Sequence, residues 1–171
     1  MSRARGPLFV VNFRRRRQGV TDYAKRVALL KSGLPRLVVR KSNKYVIVQV
    51  VEFSEKGDET IAAATSRQLS KLGFQGKANT PSAYLTGFLV GKRALAKGAS
   101  ECAADFGRHA ATKGSLLYAA VKGAVDAGLK IPASPEVLPS KERIEGKNLK
   151  NSTGFAEALE KLRSLQVQQH G

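Results

Sequence analysis

A change of hydrophobic period at Pro35 constrains the fold of this chain more than any other feature. After it, apolar and β-branched residues fall into three short runs, at residues 36–41, 44–53 and 60–65. Ser42-Asn43 and Gly57-Asp58 separate these runs, and both pairs are typical turn residues. Short runs joined by short turns predict three antiparallel strands in a meander. In the first run, Leu37, Val39 and Lys41 share one face, and Arg36, Val38 and Arg40 share the other.

Helical patterns surround this meander on both sides. Thr21 is expected to cap a helix that ends near Gly33, and Thr80-Pro81 is expected to begin a longer one that ends near Gly98. The other predicted elements are short helices at 66–72 and 115–127, a buried strand at 101–106, and a last amphipathic helix at 155–168. The fold class is therefore α/β, a layered domain with a mixed, mostly antiparallel sheet flanked by helices. We expect a basic extended arm at 1–20, an α/β domain at 21–135 and a C-terminal extension at 136–171 that ends in the amphipathic helix.

Small and apolar residues predict how two of these helices pack. Ala83, Gly87 and Gly91 recur at four-residue spacing, which predicts close packing of that helix on the sheet. The last helix places Phe155, Leu159, Leu162 and Leu165 near one face. That face suits either its own domain or a partner.

Basic charge is concentrated at the start of the chain. The first 45 residues hold 13 Lys or Arg, including four consecutive arginines at Arg14–Arg17, against the single acid Asp22. The other 126 residues hold 17 basic and 12 acidic side chains, so most of the net charge of +17 lies in the first quarter. Such like charge repels itself, and a polyanion that neutralises it is the natural explanation. Tyr23 and Tyr45 flank the basic segment and are candidates for stacking on unpaired bases.

Chemistry other than polyanion binding has little support. The single Cys102, and His109 far from His170, indicate neither a disulfide framework nor a metal site, and no cofactor is expected. The segment Gly87 to Arg93 lacks the spacing of a phosphate loop. Asp105 stands without the neighbouring acids that a metal-dependent nuclease needs, so a structural or solvated role is expected.

Three other classes of function remain as alternatives. An architectural DNA-binding protein is the main one, because binding to DNA phosphates through clustered arginines has a similar dependence on salt. An RNA-processing enzyme lacks candidate catalytic residues. An anionic membrane surface fits less well, since the basic segment is not paired with a strong apolar helix face and no stretch is long enough for a membrane span.

Several ordered blocks resemble a known family. They are Arg14–Arg17, Thr21-Asp22-Tyr23, Leu29-Leu30-Lys31-Ser32-Gly33, Pro35-Arg36-Leu37-Val38, Arg40-Lys41-Ser42-Asn43-Lys44, and Thr80-Pro81-Ser82-Ala83-Tyr84-Leu85-Thr86-Gly87. Together they resemble the large-subunit ribosomal protein eighteen family in its archaeal form, over roughly residues 12 to 139. The similarity fades after Pro139.

The resemblance implies a cytoplasmic, non-enzymatic component of the large ribosomal subunit that binds 5S ribosomal RNA in the central protuberance. It implies the large ribosomal RNA and a second 5S-binding protein as further partners, and no small-molecule substrate. The RNA-contacting residues that it implies are Arg14, Arg15, Arg16, Arg17, Tyr23, Lys25, Arg26, Arg36, Arg40, Lys41, Ser42, Asn43, Lys44 and Tyr45.

Overall fold

A four-stranded mixed sheet forms the centre of the protein, as seen in a computed structural model that describes residues 6–149 and 154–164. Its strands are β1 (Arg36–Lys41), β2 (Val46–Glu52), β3 (Glu59–Thr65) and β4 (Ala103–Asp105). The first three pair antiparallel, while β4 lies parallel to β1, so the order across the sheet is β3-β2-β1-β4. The predicted meander and the α/β class are confirmed.

Within the described residues, six α-helices accompany the sheet. They are α1 (Arg14–Arg17), α2 (Tyr23–Leu30), α3 (Thr80–Ala96), α4 (Leu116–Asp126), α5 (Lys141–Glu145) and α6 (Phe155–Ser164), with 3-10 turns at Ser66–Leu72 and Pro135–Val137. The helical turn α1 within the basic arm, and α5, were not predicted. Arg3, Arg5 and Leu165, and the predicted end of the last helix at Gln168, lie outside the described residues.

The two faces of the sheet differ because side chains alternate along each strand. Leu37 and Val39 of β1 are fully buried on the inner face, where α3 and α4 pack. Val46, Val48 and Val50 of β2 belong to the same core. The register pairs Val38 with Gln49 and Arg36 with Val51, so these residues share the outer face. The outer face therefore carries the polar and charged side chains of the meander.

The glycines of α3 contact α4, which corrects the prediction that they pack on the sheet. A Cβ on Gly87 would lie 2.0 Å from the carbonyl oxygen of Ala120, and one on Gly91 would lie 2.7 Å from the Cβ of Ala127. Gly123 of α4 meets α3 in the same way, 2.1 Å from the carbonyl oxygen of Tyr84. The absence of side chains at these positions lets two helix backbones touch.

Asx side chains cap α2 and α3, where the sequence predicted threonines. Asp22 accepts a hydrogen bond from the Lys25 backbone N–H, and Asn79 accepts one from the Ser82 backbone N–H. Both lie immediately before the first helical residue, in extended backbone. The Thr21 hydroxyl instead accepts a hydrogen bond from Arg15 Nε at 2.8 Å.

The helix α6 packs on its own domain, which resolves one open alternative. Ala158 and Leu162 are fully buried, and the Phe155 ring lies 5.9 Å from the ring of Tyr84 in α3. Lys161 Nζ also donates to the carbonyl oxygen of Leu72 at 3.3 Å. Across the described residues, none of the helices has the length and apolarity that crossing a membrane requires.

Candidate nucleic-acid interface

The four arginines of α1 are all exposed to solvent. Within the described part of the chain, none of them forms an ion pair with a carboxylate. The turn begins after Phe13 and has no side-chain cap. A turn of helix with four unpaired guanidinium groups has nothing within the described residues to neutralise it, which suits contact with an external polyanion.

The helix α2 buries none of its residues. Its Lys25 side chain is exposed, whereas Arg26 forms a bidentate pair with Asp58, with N–O distances of 2.7 and 2.8 Å. Asp58 follows the turn between β2 and β3. A charged contact, rather than apolar packing, therefore fastens this helix.

That contact is one end of an ion-pair network of five residues: Arg26, Asp58, Arg36, Asp105 and Arg40. Arg36 lies at its centre, 2.7 Å from Asp58 and 3.0 Å from Asp105, and its side chain is only 4% exposed. Asp105 also pairs with Arg40 at 3.1 Å. The network joins α2, the β2–β3 turn, β1 and β4. It confirms a structural role for Asp105.

Hydrogen bonds from Arg26 lower the pKa of Asp58 below its ordinary value, and hydrogen bonding by Arg36 adds to that effect. The carboxylate is thus held in its charged form. Three of the predicted RNA-contacting arginines, Arg26, Arg36 and Arg40, have their guanidinium groups engaged with carboxylates inside the protein. Their role in RNA contact stays a prediction, and the geometry favours positioning over direct contact.

We expect Asp105→Asn to lower the free energy of unfolding by about 3 kcal/mol, the low end of the cost of breaking a buried ion pair. The substitution keeps the shape but removes the charge that faces Arg36 and Arg40, and a buried ion that loses a partner is costly. The cost stays at the low end because Arg36 keeps Asp58. Urea denaturation measures the loss.

Glu136→Gln is the matched control for that change, because it neutralises an acid whose pair with Lys113, at 3.8 Å, is exposed on both sides. We expect it to change stability by less than about 0.5 kcal/mol. Equal effects of the two variants would contradict a structural role for the network.

The hairpin between β1 and β2 is closed by a four-residue turn at 42–45, so β2 begins later than predicted, at Val46. Ser42 Oγ accepts a hydrogen bond from the Tyr45 backbone N–H at 2.9 Å and donates one to the Tyr45 carbonyl oxygen at 2.8 Å. These hydrogen bonds of the serine hydroxyl add to the backbone hydrogen bond from the Ser42 N–H to the Tyr45 carbonyl oxygen. Lys41, Asn43 and Lys44 are exposed there, whereas the Ser42 hydroxyl is used within the turn.

The two candidate stacking tyrosines lie in different settings. The Tyr23 ring is half-buried and packs on Phe13, with ring centroids 5.2 Å apart at a 46° tilt. Phe13 itself is 71% exposed. Tyr45 is half-buried beside the hairpin turn. Neither position tests the stacking prediction, but Phe13 adds an aromatic surface next to the arginines.

Sequence reasoning missed Arg108 and His109, which follow β4 and face the basic segment. A groove of about 720 Å³ runs between the arm, α2 and the outer sheet face, and both residues line it. Since β4 pairs in parallel with the first half of β1, its last residue, Asp105, lies opposite Val38, and the loop that follows it lies beside the groove. The sequence shows this basic pair shortly after the predicted strand at 101–106. It does not show that the strand pairs with β1, which is what brings the two residues to the basic segment.

The remaining candidate residues fall outside this surface. Cys102 is fully buried, and burial raises the pKa of its thiol to about 11, so it is an unreactive core residue. In the residues that the structure describes, no group of three His, Cys, Asp or Glu side chains is placed to hold a metal ion.

Comparison with known proteins gives one consistent family. The sequence model described as "Ribosomal large subunit proteins 60S L5, and 50S L18" matches residues 8–100. A protein of Korarchaeum cryptofilum named "Large ribosomal subunit protein uL18" is 52% identical over 166 residues, which is 96% of this chain and 84% of that protein.

Proteins of the same name in two other archaea are similar to this chain. The one from Caldivirga maquilingensis is 52% identical over 143 residues, covering 82% of this chain and 69% of its own length. The one from Methanobrevibacter smithii is 49% identical over 158 residues, covering 92% of this chain and 80% of its own length. The chain therefore belongs to the family of ribosomal large subunit proteins that comprises 60S L5 and 50S L18.

Proposed function

We propose that this protein is a non-enzymatic, structural component of the large subunit of the cytoplasmic ribosome, and that it binds 5S ribosomal RNA and helps anchor it in the central protuberance. The observation that carries the proposal is the exposed, unpaired arginine turn Arg14–Arg17 on a chain of this family. The large ribosomal RNA and a neighbouring 5S-binding protein are the further partners.

The basic segment divides into direct contacts and positioning residues under this proposal. Direct contacts come from exposed polar side chains and from two half-buried rings: Arg14, Arg15, Arg16, Arg17, Lys25, Lys41, Asn43 and Lys44, and Tyr23 and Tyr45. Arg26, Arg36 and Arg40 hold α2 and the strands in place through the ion-pair network, and Ser42 shapes the hairpin turn. The arm at 1–20 and the domain at 21–135 supply the RNA surface, and 136–171 is an extension.

Two physical effects support binding to a folded RNA. Neutralising phosphates releases counterions, which supplies most of the affinity and makes it salt-dependent. Arginine binds phosphate bidentately and stacks on bases, so a rigid array of arginines and aromatic rings reads the shape of irregular RNA.

Competition binding at fixed salt tests the proposal. We expect unlabelled 5S ribosomal RNA to displace a labelled 5S ribosomal RNA probe at concentrations at least about tenfold lower than duplex DNA with the same number of phosphates. Transfer RNA, which is folded and similarly charged, is the control for general affinity for RNA. Equal displacement by duplex DNA would contradict the proposal and favour an architectural DNA-binding protein.

A further inference from the structure

We propose that the groove beside the ion-pair network is a second nucleic-acid site, which takes one or two unpaired nucleotides of an RNA strand with a phosphate held by Arg15, Lys25 and Arg108. This inference rests on the proposed function and deepens it, because it adds Arg108, His109 and the outer face of the sheet to the basic segment recognised in the sequence.

The outer face of the sheet is the floor of the groove. Val38 of β1, Gln49 and Val51 of β2 and Thr60 of β3 line it side by side. Val38 and Gln49 are directly paired across β1 and β2. The floor thus offers apolar surface for a base and an amide and a hydroxyl for its hydrogen-bonding edge, which is how unpaired bases of RNA are read.

The walls of the groove carry cations that no carboxylate neutralises. Arg15, Lys25 and Arg108 all line it, and none of them forms an ion pair with a described residue. All three are exposed. Each comes from a different segment: Arg15 from the arm, Lys25 from α2 and Arg108 from the loop after β4. Three cations from separate segments that converge on one groove favour an anion between them.

The floor of the groove is positive as well. The ion-pair network contributes three arginines and two aspartates, so it keeps a net charge of +1 at the groove. Arg36 Nε is buried there and has no hydrogen-bond partner among the described residues. A buried donor without a partner is uncommon and points to a ligand or water in the neighbouring space.

Arg108 is presented to the groove by a loop with a fixed shape. The Gly107 backbone N–H donates to Asp105 Oδ1 at 2.7 Å, which ties the loop to the network. Gly107 has a φ of +59°, and a Cβ there would lie 2.9 Å from the guanidinium carbon of Arg40. A Cβ on Gly19 would lie 3.6 Å from Arg108 Nη1, so this guanidinium reaches the arm. The loop and the arm therefore meet beside the groove.

The volume sets the kind of occupant. At about 720 Å³ the groove falls in the range of sites that enclose a ligand of drug size, roughly 300–1,000 Å³. One or two nucleotides fit this space, and a duplex does not.

His109 gives a direct readout of this site. The chain has two histidines, so the imidazole C–H signals of His109 are readily assigned by comparison with His109→Gln. We expect a single-stranded uridine tetranucleotide to shift the His109 signals in a saturable NMR titration. Arg108→Ala should weaken this binding about tenfold, the loss of one charge-assisted contact. The fold should persist, because Arg108 is exposed.

Lys97→Ala is the matched control, since Lys97 is an exposed cation at the end of α3 that does not line the groove. It should leave the titration unchanged. Equal binding by Arg108→Ala and Lys97→Ala would overturn the proposal. Saturation by uridine monophosphate or inorganic phosphate at the same concentration as the tetranucleotide would also overturn it, because the site would then take a free phosphate compound and not a strand.

This test is independent of the proposed function. The titration contains no 5S ribosomal RNA. If the tetranucleotide does not bind, this inference is overturned, whereas the competition experiment can still support the proposed function. Conversely, if 5S ribosomal RNA does not outcompete duplex DNA, tetranucleotide binding that depends on Arg108 still supports a nucleotide site in the groove.

Discussion

Replacing Gly87 with alanine is expected to lower the free energy of unfolding by about 3 kcal/mol, the upper end of what overpacking a core costs. The new Cβ would lie 2.0 Å from the Ala120 carbonyl oxygen and 2.8 Å from its carbonyl carbon, distances that require α3 and α4 to move apart. The obstacle is backbone on the facing helix, so no side-chain rotation relieves it. The expected shift in the melting temperature is a drop of about 6–12 °C.

The sign of this effect is diagnostic. Intrinsic helix propensity favours alanine over glycine by about 1 kcal/mol, so Gly87→Ala would stabilise α3 if nothing faced it. Ala156→Gly, at an exposed position of α6, measures that propensity term alone in the same chain. Thermal and urea denaturation of both variants give the comparison. A more stable Gly87→Ala protein would contradict the contact between the two helices.

We expect RNA binding to become less sensitive to salt when alanine replaces all four arginines, Arg14, Arg15, Arg16 and Arg17. The slope of log affinity against log salt should become less negative by about 3. Each lost phosphate contact accounts for roughly 0.7–0.9 of that slope. All four side chains are exposed and none is part of the core, so the melting temperature should stay within about 2 °C of the parent. Binding to 5S ribosomal RNA over a series of salt concentrations measures the slope.

A second variant with the same change in charge separates position from charge. Arg67, Lys71, Lys77 and Lys97 are exposed cations outside the basic segment, and their replacement by alanine also removes four positive charges. We expect this variant to retain most of the parent slope. Equal slopes for the two quadruple variants would show that net charge, and not the arm, determines binding.

The strands and their order along the chain were predictable because local patterns specify them. The alternation in β1, the turn residues Gly57-Asp58 and the β-branched β2 all act over a few residues, and the structure confirms the meander. The exposed arginines of α1 were also predictable, since four adjacent charges have no core to enter. Features of this kind need only the sequence within one element.

Contacts between distant segments were not predictable from those patterns. Arg36 and Asp105 are 69 residues apart, and nothing local shows that their side chains meet or that Arg36 is buried. The groove follows from the same pairing, because β4 must lie beside β1 before Arg108 can line one groove with Arg15 and Lys25. The glycines of α3 were recognised as a packing face, but the partner was identified wrongly because α4 and the sheet both bury apolar surface.

The ion-pair network has a consequence for the order of events during synthesis. The basic segment leaves the ribosome before β4 does, and a chain emerges at roughly 5–20 residues per second. Asp105, which Arg36 and Arg40 require, is made 69 and 65 residues after them, a delay of several seconds. Until then β1 lacks its parallel neighbour, Arg40 lacks its carboxylate partner, and Arg36 has Asp58 alone. The basic surface is thus synthesised before β4, but its geometry is complete only when β4 joins the sheet.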